Sequence, residues 1–236
     1  MQRVFAGRLV IAAVTCSFIG IGLLAAFPLG SFVRFGWPIE TALTWDAALS
    51  FLFFLQHSGM VRRSVRRFMR IPEPYWGAFY AATSGIALAI VMLLWQASDV
   101  PVLVLTGWLR AAAYVCAVLA LLFFIWGIVA LRSFDPCGIG PIRAHLRGVK
   151  TRPMPFVVRG PYRWVRHPLY FAILVLFWAY PDLTLDRLLF DVLWTVWIIV
   201  GTRLEEADLL TDFGEDYARY RREVPALVPW RGPPRF

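Results

Sequence analysis

Residues 107–131 read GWLRAAAYVCAVLALLFFIWGIVAL, and this stretch decides the class of fold. After Arg110 it carries no charge, and it exceeds the roughly 20 apolar residues that a helix needs to cross a bilayer core. Working outward, three more apolar runs precede it: Gly7 to Leu29, Thr41 to Met60 and Tyr75 to Ala97. The first covers roughly 23 positions, about 35 Å of helix, and Pro28 and Gly30 close it. Of the 236 residues, 59% are hydrophobic and 17% charged, and the mean hydropathy is +0.63. That composition is far from an ordinary soluble domain and predicts an all-α, polytopic transmembrane helix bundle with about five to six membrane helices.

Charge sets the orientation. The run Arg62, Arg63, Arg66, Arg67 and Arg70 follows the second apolar segment and belongs on the cytoplasmic side. Alternating spans then place the N-terminus in the cytoplasm and return the chain there near Arg132. Residues 133–167 form one long polar connection, whose Arg143, Arg147, Lys150, Arg152, Arg159, Arg163 and Arg166 agree with that side. Within it, Ile142 to Leu146 reads as a short amphipathic stretch. The organisation expected is an N-terminal transmembrane bundle over 1–132 and, over 133–236, a cytoplasmic loop, a helical hairpin and a C-terminal cofactor-binding region. Both termini are expected in the cytoplasm and the protein in a bacterial inner membrane.

The same features exclude other classes. A net charge of +9 and a pI of 10.1 would fit a nucleic-acid binder, but no basic, aromatic-interleaved soluble face exists, and the Arg residues flank apolar runs. Cys16, Cys116 and Cys137 form no CxxC pair, which argues against a disulfide or a structural zinc, and no metal is expected. Arg3 and Arg8 before an apolar stretch resemble a signal peptide, but the stretch is long and lacks a small-residue cleavage site, so it reads as a retained span.

Beyond the long connection, Pro168 suits the first turn of a helix, and the apolar residues that follow end near Tyr180, before Pro181-Asp182. Those ~13 residues give about 20 Å of helix, too little to span alone, and are expected to form a hairpin with the run from Leu185 to Leu204. A charged helix from Glu205 to Arg222 and a tail with Pro225 and Pro229 complete the chain.

The densest chemistry lies in Gly160-Pro-Tyr-Arg-Trp-Val-Arg-His-Pro-Leu-Tyr170, answered by Glu205-Glu206. Ionisable groups at a membrane surface are costly unless partnered, so opposite charges clustered there point to a bound polar ligand. A carboxylate that holds an ammonium and an Arg that holds a carboxylate together fit a zwitterion. The competing reading is a juxtamembrane anchor, with Glu205 or Glu206 paired to Arg203. Adjacent carboxylates point about 100° apart on a helix, so one faces the bundle and the other water, and the sequence does not say which. Gln56-His57-Ser58 ends the second apolar run. His57 is either a packed interfacial residue or a general base and polar contact for an acceptor, and bis-His haem ligation by His57 and His167 stays open.

Several of these motifs resemble a known superfamily. Gly160-Pro-Tyr-Arg-x-Val-Arg-His-Pro-x-Tyr170, Glu205-Glu206-x-x-Leu209, Phe213-Gly214-x-x-Tyr217-x-x-Tyr220 and Val224-Pro225 with Pro229 are similar to the isoprenylcysteine carboxyl methyltransferase and phospholipid methyltransferase group. Gln56-His57-Ser58 before a basic loop, the helix after Pro74-Tyr75, and Leu146-Arg147-Gly148 resemble its methanethiol S-methyltransferase and NnrU-like branch. The Asp135-Pro136-Cys137-Gly138 turn and Ala172 depart from that branch. The resemblance implies a membrane methyltransferase that uses S-adenosylmethionine. In that reading Arg166, His167, Pro168 and Tyr170 wrap the donor's amino-acid end, Tyr162 is a further cofactor-binding residue, Glu205 or Glu206 binds the ammonium, and Tyr217 and Tyr220 belong to a tail that covers the adenosine. Arg166 and His167, with His57, are the catalytic candidates. The implied acceptor is a small thiol such as methanethiol; the alternatives are an isoprenylcysteine carboxylate or lipid amine, or a non-catalytic, NnrU-like role in nitric-oxide metabolism or haem binding. Membrane lipid is the expected surrounding partner.

Overall fold

A computed structural model describes residues 2–26, 32–132, 135–149 and 156–232. Among them are eight helices, α1 (Gln2–Ala26), α2 (Ile39–Val61), α3 (Arg63–Met69), α4 (Glu73–Leu94), α5 (Gly107–Leu131), α6 (Ile139–Leu146), α7 (Pro168–Trp178) and α8 (Leu185–Glu223), and two short strands, β1 (Pro101–Val104) and β2 (Asp182–Thr184). Helices α1, α4 and α5 are long and apolar enough to cross a membrane. In a bilayer the backbone must satisfy its own hydrogen bonds, which an uninterrupted helix does. The protein is therefore an all-α membrane protein, apart from the two strands. Pro28, Leu29, Gly30, Lys150, Arg152, Pro153 and Pro155, which the sequence reading used, lie outside the described residues.

The chain divides into two compact units that alternate in sequence, Met1–Ser98 with Asp135–Pro153, and Asp99–Phe134 with Met154–Phe236. In the first unit, α1 packs on α4 at van der Waals range because both helices carry glycine where they cross. A Cβ on Gly85 would lie 2.5 Å from the Cys16 carbonyl carbon, and one on Gly20 would lie 2.7 Å from the Gly85 carbonyl oxygen. Small residues serve this purpose in membrane helices, where close backbone approach replaces the hydrophobic effect as the source of packing energy. Next to this contact, Ala6, Ala13, Tyr75, Ala78, Ala81, Ala82 and Ile142 of α6 form a buried cluster. Helix α2 meets α4 through Asp46, fully buried, whose Oδ1 accepts the Gln96 backbone N–H at 2.9 Å.

In the second unit α7 lies on α5, and Gly127 permits the contact, since a Cβ there would lie 2.7 Å from Leu169 Cδ2. Helix α7 folds back on α8 as a hairpin. Phe177 meets Phe190 and Trp194 edge-on, and Trp178 Nε1 donates to Thr195 Oγ1 at 3.0 Å. The strands were not expected. The linker from Ser98 to Thr106 pairs antiparallel with the segment after Pro181, with Pro101 opposite Thr184 and Val104 opposite Asp182. The sequence Val-Leu-Val suits an extended backbone, and Pro at the first strand position gives up no ladder donor that an interior position would need. Arg110 fixes the hairpin by a fork to Asp182, Nη1 to Oδ1 at 2.8 Å and Nη2 to Oδ2 at 2.5 Å. The apolar run from Leu185 and the charged helix from Glu205 form one helix, α8, which passes through Leu204-Glu205 without interruption and deviates only at Gly214, at φ +54°.

Adding a side chain at the α1–α4 crossing tests this packing. Gly85→Val is expected to cost about 1–3 kcal/mol by overpacking and to lower the thermal unfolding midpoint in detergent. Gly22→Ala, with nothing within 4 Å of the new Cβ, is expected to leave it unchanged.

Candidate functional site

The second unit gathers the charged motif around one carboxylate. Gly160 opens a single 3-10 turn, Gly160–Arg163, with φ +52°, and a Cβ there would sit 3.0 Å from Ala130 Cβ and 3.1 Å from Trp126 Nε1 of α5. Both the backbone conformation and the close approach require glycine. The turn delivers Arg166 and His167 ahead of Pro168, which starts α7, with His167 at φ −121° and ψ 66°. The chain after α8 comes back to pair with them: the Arg166 N–H donates to the Pro225 carbonyl at 2.9 Å and the His167 N–H to the Ala226 carbonyl at 3.0 Å.

Glu206, 8% exposed, stands at the centre. Its Oε1 accepts Arg166 Nε at 2.8 Å, lies 2.6 Å from a second Arg166 nitrogen, and meets His167 Nε2 at 3.2 Å. Its Oε2 has one neighbouring cation, Arg221, at 3.7 Å. The remaining Arg166 nitrogen donates to the carbonyls of Arg221, at 3.0 Å, and Val224. Arg166 thus ties the turn before α7 to the C-terminal end of α8. Glu205 faces the same turn: Tyr170 donates to its Oε2 at 2.8 Å, and His167 Nδ1 lies 3.8 Å away. The His167 and Tyr170 rings stack at 5.6 Å with 7° between their planes. Of the two carboxylates left open by the sequence, Glu206 is the buried one, and the Glu205 side chain keeps 45% of its surface in contact with solvent.

An aromatic wall stands behind the pair. Tyr217, Tyr220 and Val224 form a buried cluster with Phe156, Val158, Leu209, Leu210 and Phe213. Tyr220 donates to the Tyr162 carbonyl at 2.5 Å, which again joins the two segments. The Tyr217 hydroxyl is buried and makes no hydrogen bond among the described residues. A buried phenol without a partner loses its hydration uncompensated, so this oxygen is suited to a ligand group.

Burial would push the Glu206 carboxyl up, but the hydrogen bonds from His167 and Arg166, together with their charges, outweigh it and hold the group below its ordinary value. Burial also pushes the Tyr162 phenol up to about 12, with Glu205 adding to the shift. Burial raises Tyr217 and Tyr220 further, so all three phenols stay protonated at neutral pH. The site thus presents two carboxylates, one clamped cation and neutral phenols. The clamped cation spends four of its five N–H groups on Glu206 and on the carbonyls of Arg221 and Val224; the Leu169 and Tyr170 amides in the first turn of α7, which no side chain caps, are further donors.

His57 belongs to the first unit, near the C-terminal end of α2. Tyr80 hydrogen-bonds its ring at 2.9 Å, and Phe53 stacks on it at 5.2 Å. Gln56 beside it reaches Met60, Thr83 and Ser84. Sequence reasoning overlooked the return of Pro225 and Ala226, the contacts of Arg221, and Phe156. The only advance signal for the first was the Val224-Pro225 motif, which names the residues but not their partners.

Fold and motif define a membrane protein with a charged site closed by its own C-terminal segment. The chain belongs to the NnrU protein family, whose model matches residues 47–208. It is 38% identical over 223 residues to a methanethiol S-methyltransferase from a Pseudomonas species, covering 89% of this chain and 83% of that one. A methanethiol S-methyltransferase of Pseudomonas deceptionensis is 36% identical over 82% of this chain and 74% of its own length. Nurim of Rattus norvegicus is 28% identical over 76% of this chain and 75% of its own length. No solved structure matches the chain.

Breaking the central pair is expected to cost stability in a pH-dependent way. Glu206 is depressed in the folded state, so its contribution is complete above its unfolded value, roughly 4.3, and is lost as pH falls through the lower folded value. Unfolding midpoints measured from pH 7 to pH 3 should fall more steeply in the wild type than in Glu206→Gln. Equal acid limbs would contradict the clamp.

Proposed function

We propose that this chain is a membrane methyltransferase that transfers a methyl group from S-adenosylmethionine to methanethiol. The observation that carries the reading is the 38% identity with a methanethiol S-methyltransferase, extending over 89% of the chain. The charged site supports it. When bound, S-adenosylmethionine supplies an electrophilic methyl on a sulfonium. Glu205, assisted by the open Oε2 of Glu206, holds the donor's ammonium, and the α7 amides hold its carboxylate. Tyr217 offers its unpartnered hydroxyl to the same ligand, and Tyr162, Pro168 and Tyr220 shape the wall around it. Arg166 and His167 act on the ligand through Glu206, which they fix in place.

Transfer needs an in-line acceptor and little covalent help from the protein. With the donor held there, the acceptor sulfur would form the new bond to the methyl carbon as the donor's carbon–sulfur bond gave its electron pair to the donor sulfur, and dimethyl sulfide would leave. The thiol proton must be lost before or during attack, because the thiolate is the stronger nucleophile. Solvent water takes that proton. The Arg-rich segments, α3 and the residues before α7, face the cytoplasm, with both termini on that side and the protein in a bacterial inner membrane.

Dimethyl sulfide formed from methanethiol and S-adenosylmethionine, measured in the headspace over reconstituted protein, tests the reading. Wild type is expected to turn over, and Glu205→Ala to raise the donor KM about tenfold or more, equivalent to one lost charge-assisted hydrogen bond. Absence of product with methanethiol, or equal KM in both proteins, would overturn the assignment.

A further inference from the structure

A groove of about 440 Å³ in the first unit is lined by Trp37, Glu40, Thr41, Thr44, Trp45 and Ala48. Its aromatic wall is built and held. Gln96, 5% exposed, accepts the Phe35 N–H at 2.9 Å and donates to the carbonyls of Val33 at 3.0 Å and Leu94 at 2.8 Å. The Gln96 backbone is in turn fastened to buried Asp46. This fixes the segment before α2 against the end of α4. Trp37 then packs on Phe35 at 4.6 Å and edge-on to Trp45 at 5.6 Å. The Trp45 indole N–H is committed to the Leu94 carbonyl at 3.1 Å, which locks the ring.

The wall carries π-electron density, and the groove's sole ionisable lining residue, Glu40, is exposed at its rim. Indole rings and a carboxylate together favour a cation, above all an alkylated or weakly hydrated ammonium. The groove also has a direction. Thr41, Thr44, Trp45 and Ala48 share one stripe of α2, and the same stripe continues one and two turns on into Leu52 and Leu55, 62% and 55% exposed. A polar, acidic, aromatic end followed by an apolar exposed track matches an amphiphile lying along the helix, not a soluble ion.

We propose that this groove binds the cationic head group of a zwitterionic phospholipid, with an acyl chain along Leu52 and Leu55. An aromatic belt that merely positions the protein at the interface would need neither the carboxylate nor the hollow.

Native mass spectrometry of the full chain in detergent, with dioleoyl phosphatidylcholine, phosphatidylethanolamine and phosphatidylglycerol supplied in equal amounts, tests the site. The expected result is retention of a phosphatidylcholine or phosphatidylethanolamine about tenfold over phosphatidylglycerol, as one desolvated cation–π contact allows. That preference should drop to within twofold in Glu40→Gln and in Ala48→Trp, which fills the groove. Glu40→Gln changes an exposed side chain without changing its shape, so it decides the matter even where Ala48→Trp does not fold. No preference in the wild type, or the same preference in Glu40→Gln, would overturn the proposal. Displacement of the lipid by an equal concentration of choline chloride would overturn the lipid assignment as well.

Discussion

The buried ion pair between Arg166 and Glu206 is the interaction on which the second unit depends. It joins a residue just before α7 to one in the middle of α8, and the same guanidinium also holds the carbonyls at the end of α8. An ion pair this buried adds little stability over apolar packing, but removal of one partner strands the other and costs about 3–5 kcal/mol. Its value is specificity: it sets which face of α8 meets the turn. Once Glu206 is fixed, Glu205 is directed at Tyr170 and His167, and the Tyr217–Phe156 wall closes behind.

This arrangement assigns different duties to residues that look alike in sequence. Arg166 and His167 have their polar atoms turned to protein groups and, in the function proposed above, serve as positioning residues, whereas Glu205, half exposed, is the proposed ligand contact. A site for a zwitterion needs both kinds. A carboxylate that wandered would lose its ligand's ammonium to water, and the clamp on its neighbour removes that freedom before binding.

Much of the fold was legible. Apolar length marked α5 to the residue, Gly107–Leu131, because nothing inside it competes with helix and Thr106-Gly107 begins it at positive φ. Pro168 marked the start of α7, and the short run after it foretold the hairpin. The strands were hidden because three or four residues carry no periodicity, and their pairing spans a gap between 104 and 182 that only tertiary structure closes. The apolar run and the charged helix were read separately at the change of polarity after Leu204, but polarity reports solvent, and α8 simply passes from one environment to the other. At the site, residue types were readable and partners were not. The 100° between Glu205 and Glu206 cannot be assigned a direction without the turn they face, and the return of Pro225 and Ala226 is a backbone contact that no side-chain chemistry announces.

The most direct test of the central claim, that the clamped carboxylate pair holds the amino-acid end of the donor, is a calorimetric titration of S-adenosylhomocysteine into wild type and Glu205→Gln at matched unfolding midpoints. The product analogue removes chemistry from the readout and keeps the ammonium. Saturable binding by the wild type, about tenfold weaker in the variant, is the predicted result. Identical affinity in both proteins, or no binding by the wild type, would contradict it.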